Sequence, residues 1–375
     1  MDLMVDTFII IIIILFDREP HRESSVSFSF KIVEIHSYKS TFCADFIISY
    51  IERKMDRWSG IFKVPLQQQP CNSNTKAAYY RVAISLCLSP SSTTNLITPS
   101  ANVIFFNGDR VEGSGDPTID RLSNIQTISE LLVSKFGASI NAYVIESSYY
   151  NGPFAVYKDF IPSSNSRGEP KLYNPIGFPA STSIASLLAS SLHQAVKVND
   201  FVEPSSTSSC PHTFLLGFSK GGTVLNQLVT ELGNMDKQTL VNEVEEEGIL
   251  VPNSRECFLN SISEIHYVDV GLNSSLAYLT DRKTIERISN RIIQMGRRGV
   301  GGSGIRFVIH GTPRQWCDGR REWIRAEKDE LVRLLQLEAR KTGGKLSVIE
   351  RLYFADKLPS LKMHFEVIEH MDVSV

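Results

Sequence analysis

Gly217-Phe218-Ser219-Lys220-Gly221 reads G-x-S-x-G, and what flanks it narrows the fold more than any other part of this 375-residue chain. Thr213-Phe214-Leu215-Leu216 before it is a short apolar strand. Gly222 to Leu232 after it places Leu225, Leu228 and Leu232 at helical spacing. Strand, tight turn and helix make a nucleophile elbow, a corner that presents a serine hydroxyl at the end of a sheet. The glycines follow from crowding, because side chains at Gly217 and Gly221 would collide with the neighbouring strand and helix.

The rest of the chain alternates in the same sense. Ile61–Leu66 and Tyr79–Leu88 read as strands, and Ser89–Ser100, rich in Ser, Thr and Pro, as a loop. Val103–Phe106 is a strand stopped by Asn107-Gly108-Asp109. Ile119–Phe136 is a helix, and Ala142–Glu146 a strand. Ser147–Pro179 is a loop longer than a compact domain tolerates without a purpose. Ser181–Val198 is a helix ahead of the elbow. Beyond the elbow helix, Asn234–Asn260 is polar, and its acidic run Glu243, Glu245, Glu246, Glu247 reads as a solvated helical face. Ile265–Asp269, Ile305–His310 and Leu346–Phe354 are strands, separated by helices over Asp281–Met295 and Arg320–Lys341. This β-α-β-α order implies an α/β fold with a mostly parallel central sheet and helices on both faces.

A serine nucleophile at such a corner needs a base and an orienting acid, and in α/β-hydrolases they follow it in the order Ser, Asp/Glu, His. His364, after the last strand, is the candidate base; His370 lies closer to the terminus. Two carboxylates compete for the acid. Asp318 ranks first, in the loop after the second strand beyond the elbow, although Arg314 fills the slot where an acid two residues after Thr312 would stand. Asp269 ends the first such strand and has the cleaner strand-end position. His310, at a strand end, reads as structural or supporting. An oxyanion hole needs two backbone donors, one from Lys220 and one from the Asn107-Gly108-Asp109 loop, where Gly108 lets the backbone approach closely and is the expected donor. The Asp109 side chain, negative beside such a site, is expected to point away or to pair with a cation.

Other signals exclude more than they propose. The formal net charge of -2 argues for no nucleic-acid partner. None of the six cysteines, Cys43, Cys71, Cys87, Cys210, Cys257 and Cys317, falls in a C-x-x-C pair, so neither a zinc site nor a compact disulfide framework is read, and a reducing compartment is the default. Gly299–Gly304 spells G-x-G-x-x-G but follows a helix and precedes a strand, the reverse of a dinucleotide site; Ser219–Thr223 lacks the Gly-Lys-Ser/Thr core of a phosphate loop. No metal or organic cofactor is implied. Phe8–Phe16 is an apolar run about half as long as the ~20 residues of a membrane span, and the residues around it suit neither a secretory nor a mitochondrial leader. Residues 1–54 are therefore read as an extension outside the folded core and 55–375 as the domain, with Met55 a candidate start of the functional product.

Assembled, these pieces resemble a eukaryotic α/β-hydrolase-like family named after a human chromosome 2 open reading frame and associated with mitochondria in animals. The resemblance is carried by Ile104–Asp109, Tyr157-Lys158-Asp159-Phe160, Leu216–Gly221 with Val224–Leu228, Tyr267-Val268-Asp269, His310–Gln315 with Asp318 and Trp323-Ile324, and His364-Phe365. The family pattern includes both Asp269 and Asp318 and does not choose between them. Animal members carry Gly-Gly-His after the position of Asp269; here Val270-Gly271-Leu272 stands there, so a histidine role at that point is absent. The expectation is a serine hydrolase acting on an ester, thioester or lipid acyl bond through Ser219. The alternative is a non-catalytic binding or regulatory protein that keeps the corner for structural reasons.

Overall fold

The computed structural model describes residues 12–13, 31–32, 56–66, 78–111, 113–204, 210–235, 250–297 and 304–374. The chain divides into two compact units, Met1–Arg53 and Lys54–Val375. In the first, the described residues form one antiparallel strand pair, Ile12–Ile13 (β1) with Lys31–Ile32 (β2). A chain expressed from Met55 is expected to unfold cooperatively at the full chain's midpoint; a markedly lower midpoint would show that the first unit contributes to the core of the second.

The second unit is organised on a sheet whose strands are Arg57–Pro65 (β3), Tyr79–Ser89 (β4), Ser92–Leu96 (β5), Ala101–Phe106 (β6), Ile140–Ile145 (β7), His212–Phe218 (β10), Ile262–Val268 (β11), Ile305–Gly311 (β12) and Leu346–Leu352 (β13). A separate hairpin pairs Tyr149–Asn151 (β8) with Phe154–Val156 (β9). Across the sheet the order is β13-β12-β11-β10-β6-β7-β4-β3, with β5 against β4. The six strands from β13 to β7 run parallel, whereas β4 is antiparallel to β7 and β3 to β4. This crossover of β6 and β7 within an otherwise sequential order, with the second long strand reversed, is an α/β-hydrolase-like sheet.

Every residue of β6 and β7 is buried, which is why both read as continuous apolar runs: a parallel strand covered on both faces cannot alternate. Successive side chains of a strand point to opposite faces. Ile104 and Phe106 accordingly pack with the helices Pro179–Asn199, Gly222–Gly233, Arg282–Arg297 and Glu322–Ala339. Val103 and Phe105 pack on the other face with Pro117–Leu122, Ile125–Phe136 and Leu361–His370. Edge strand β13 is mostly half-exposed.

The helix expected over 119–136 is two helices. The Asn124 side chain accepts from Gln126 N at 2.8 Å and Thr127 N at 3.2 Å and starts a fresh helix there. The expected loop 89–100 contains β5, and the long 147–179 segment contains the β8–β9 hairpin. The acidic run at Glu243–Glu247 and most of the 299–304 glycine pattern lie outside the described residues.

His364 lies in the helix Leu361–His370, capped by Ser360 and followed by a tail tied back to the domain. Lys135 Nζ donates to the carbonyls of Glu369 at 2.5 Å and Met371 at 2.8 Å, and Tyr353 Oη accepts from Asp372 N at 3.0 Å. Tyr353 continues inward through a fully buried histidine pair. His310 Nδ1 lies 3.0 Å from Tyr353 Oη, His310 Nε2 lies 3.1 Å from His266 Nδ1, and His266 Nε2 lies 2.9 Å from Glu264. One proton on each Nε2 satisfies the whole row: His266 donates to Glu264, His310 donates to His266, and Tyr353 donates to His310. Burial pushes both imidazoles below the ordinary histidine range, His310 further than His266, with Arg306, Arg351, Lys135, Asp372 and Glu264 the charged groups around them. Neutral histidines in the fold and ordinary ones in the unfolded chain mean that the unfolded state takes up protons first. Stability is therefore expected to be flat above about pH 6.5 and to fall by about 1–3 kcal/mol on acidification to pH 5.5. Denaturant midpoints across that window test this, and a profile unchanged by His310→Gln would show that other groups cause the fall.

Candidate active site

The strand register brings the site together. Gly217 pairs with Phe106 on one side of β10, Phe218 with Val268 on the other, and Val268 with His310 beyond. One step further along each strand, Asn107-Gly108, Ser219, Asp269 and Gly311-Thr312 emerge side by side at the carboxyl edge. Connections leave in opposite directions at β6 and β10, the place in an open parallel sheet where a crevice forms.

Ser219 and Asp269 both carry left-handed backbone, with φ of 52° and 45°. Such geometry is strained for residues with a Cβ and persists only where the surroundings enforce it. At the serine corner the enforcement is crowding. A methyl group on Gly221 would lie 2.1 Å from the Phe106 carbonyl oxygen, and one on Gly108 2.7 Å from the Ser219 Cβ. The corner is thus wedged against the end of β6.

Asp269 is fully buried and orients His364, whose Nδ1 lies 2.6 Å from its Oδ2. Thr312 holds the same carboxylate, donating from its N to Oδ1 at 2.7 Å and from its hydroxyl to Oδ2 at 2.9 Å. With Nδ1 bound to Asp269, His364 keeps Nε2 for another partner. Its ring packs on Phe218, the residue before the serine, at a centroid distance of 4.6 Å. Among the described residues no hydrogen bond joins Ser219 to His364.

Asp318, ranked first from the sequence, does not approach His364. It faces Arg320 and Arg321, at 3.3 and 3.0 Å, and accepts from Arg320 N. Those hydrogen bonds hold its carboxyl down at about 2. The physical reason is local: the loop does not fold back, and the arginines beside Asp318 take its charge. His310 supports from behind, its carbonyl accepting from Asp269 N at 2.8 Å, and His370 is an exposed residue beside the Glu366 carbonyl and the Phe354 ring.

The oxyanion loop also differs from expectation. Gly108 N donates to the Asn107 side chain at 2.9 Å, so this donor is already engaged. Among the described residues no hydrogen bond is made by the N–H groups of Asp109 and Lys220, so both are candidate donors. The side chains of the same two residues meet. Lys220 Nζ, almost fully buried, lies 3.0 Å from Asp109 Oδ1, donates to the Arg167 carbonyl at 2.8 Å and sits over the Phe154 ring at 4.7 Å. Asp109 Oδ1 also accepts from Ala155 N at 2.8 Å. The Asp109 side chain thus pairs with a cation, and the long 147–179 segment roofs this corner. Sequence reasoning missed the parts played by Thr312, Asn107 and Tyr157, whose hydroxyl donates to the Asn107 carbonyl at 2.6 Å. The strand end His310-Gly311-Thr312 was the available signal for the first.

A profile of the C2orf69 family matches residues 205–339. The chain is 25% identical over 292 residues to the mitochondrial protein C2orf69 homolog of Danio rerio, covering 74% of this chain and 75% of the fish protein. It is 30% identical over 156 residues to the Mus musculus homolog, covering 41% of this chain and 34% of the mouse protein. Against mitochondrial protein C2orf69 of Homo sapiens the identity is 28% over 158 residues, 41% of this chain and 32% of the human protein. Among solved structures, an IroE-like serine hydrolase from Shewanella oneidensis aligns over 84% of this chain and 78% of its own, at 12% identity and a TM-score of 0.39. A ferulic acid esterase aligns over 84% and 96%, at 9% identity and a TM-score of 0.37. The fold assignment rests on the sheet order rather than on these distant likenesses. No helix among the described residues is long and apolar enough to cross a membrane. The family resembled by the pieces along the sequence is C2orf69, and this chain is similar to the C2orf69 proteins of fish, mouse and human.

Proposed function

We propose that the protein is a serine hydrolase of an ester, thioester or lipid acyl bond. Ser219 is the nucleophile, His364 the general base, Asp269 the orienting acid, and the Asp109 and Lys220 N–H groups the oxyanion donors. The observation that carries the reading is the 2.6 Å contact of His364 Nδ1 with buried Asp269, on a ring packed beside a serine in strained backbone. With Nδ1 donating to the carboxylate, Nε2 is free to take the Ser219 proton as Oγ attacks the acyl carbon. Negative charge gathers on the acyl oxygen, where two backbone donors are worth roughly 2.7–4 kcal/mol each when well aimed. Collapse of that intermediate expels the leaving group, which receives the proton from His364. Water then repeats the sequence on the acyl-enzyme.

The purified full chain is expected to react covalently with a fluorophosphonate and to hydrolyse a short activated ester slowly, and Ser219→Ala to abolish both. Equal labelling of wild type and Ser219→Ala, or none of a folded wild type, would favour the rival reading. That rival, a non-catalytic hydrolase-fold module, draws its support from the missing Ser219–His364 hydrogen bond and from the Asn107 side chain that occupies Gly108 N.

A further inference from the structure

At the opposite edge of the sheet from Ser219, two thiols meet. Cys210 stands just before β10 and Cys257 in the helix Arg255–Ser261, which leads into β11. Their sulfurs are 3.2 Å apart, with Cys257 Sγ donating to Cys210 Sγ. A disulfide needs about 2.03–2.05 Å, a difference that side-chain rotation and small backbone shifts can supply. The backbones beside the thiols are already held together. Thr213 and Ser261 join hydroxyls at 2.7 Å, Thr213 pairs with Ile262 in the parallel ladder, and Ser254 accepts from Cys257 N at 3.1 Å. Both side chains are half-buried rather than sealed, so a small disulfide reagent can reach one of them. The spacing of 47 residues hid this pair from the sequence, where no short cysteine motif occurs.

We propose that Cys210 and Cys257 are a disulfide-forming site, closed by exchange with a small-molecule disulfide of the glutathione class and reopened by its thiol. One protein thiolate attacks the reagent disulfide, whose S–S bond breaks as one reagent thiolate leaves. The second protein thiolate attacks the mixed disulfide at the protein sulfur and expels the second reagent thiolate. The two protein sulfurs are oxidised by two electrons and the reagent is reduced by two. Both protons pass to the released thiols. The bridge closes a loop that contains β10, the elbow helix Gly222–Gly233 and the segment 236–249, and limits the freedom of that stretch in the unfolded chain. Because the bond forms at the amino ends of β10 and β11, and the candidate site lies beyond their carboxyl ends, it does not depend on the hydrolase reading.

The full chain is incubated with oxidised glutathione, alkylated, digested and analysed by mass spectrometry. A Cys210–Cys257 cross-linked peptide is expected, with both thiols protected from alkylation and restored by excess reduced glutathione. The oxidised protein should melt about 5 °C higher than the reduced protein, a shift absent from Cys210→Ser and Cys257→Ser. Stable mixed glutathione adducts without a cross-link, or bridges to Cys43, Cys71, Cys87 or Cys317 instead, would overturn the proposal. So would a cross-link that lowers the melting temperature, since the native geometry would then reject the bond.

Discussion

Asp269→Asn is expected to lower kcat by about 10⁴ while the protein stays folded. The carboxamide fits the same space, and its oxygen still accepts from Thr312 N, the contact that anchors Asp269 Oδ1 at 2.7 Å. Its nitrogen then faces His364 Nδ1, which must become an acceptor. The ring proton moves to Nε2, the atom that should receive the Ser219 proton, and the base is lost. The imidazolium also loses the buried negative charge beside it. Steady-state hydrolysis of an activated ester and the fluorophosphonate labelling rate, each relative to wild type, read the effect, with circular dichroism confirming the fold. A loss below tenfold would remove Asp269 from the mechanism. Asp318→Asn is the internal contrast. Paired with Arg320 and Arg321, away from His364, it should change the rate by less than about twofold.

The second large effect concerns stability. Helix Pro179–Asn199 begins without a capping side chain of its own. Fully buried Glu231, on the elbow helix, supplies the cap from across the interface. It accepts from Ala180 N at 2.9 Å, Ser181 N at 2.8 Å, the Ser181 hydroxyl at 2.6 Å and the Gln227 amide at 2.8 Å. Burial pushes its carboxyl up from the ordinary range, against these hydrogen bonds. Glu231→Ala leaves the N–H groups of Ala180 and Ser181 without an acceptor, while the Ser181 hydroxyl and the Gln227 amide keep the Phe178 and Asn174 carbonyls, and each unsatisfied donor costs about 1–3 kcal/mol before relaxation or water entry. A net loss of about 3–5 kcal/mol is expected. Glu231→Gln, with one oxygen left to accept but its amide facing a donor, should lose less. Urea midpoints at a constant m-value decide, and a loss below about 1 kcal/mol for Glu231→Ala would show that water replaces the carboxylate.

What was legible in the sequence was local. Gly217 and Gly221 signal a corner because the collisions they avoid involve nearby backbone, and the six buried residues of β6 announce a central strand by composition alone. What was missed depends on distant partners. The choice between Asp269 and Asp318 turns on which strand end meets the C-terminal helix, 95 residues from Asp269 in the chain. Gly108 was expected to donate to the oxyanion, but the amide of its own neighbour competes for that hydrogen, which no pattern of residue types reveals. Glu231 reads as one of several polar residues on the elbow helix until the helix start some 50 residues earlier is laid against it. The break at Asn124 was readable, since asparagine ahead of Ile125 is an ordinary helix start.

The placement of His364 on a helix has a consequence for the timing of any reaction. The imidazole is held at one end by Asp269, packed on one face by Phe218, and carried on a segment whose tail is clamped by Lys135 and Tyr353. A swing of this base would break the Asp269 contact and unpack the ring from Phe218. The serine hydroxyl is a single rotor that reorients in picoseconds to nanoseconds. Under the proposed mechanism, contact between the two would therefore be made from the serine side, by rotation of the hydroxyl towards a base that stays in place.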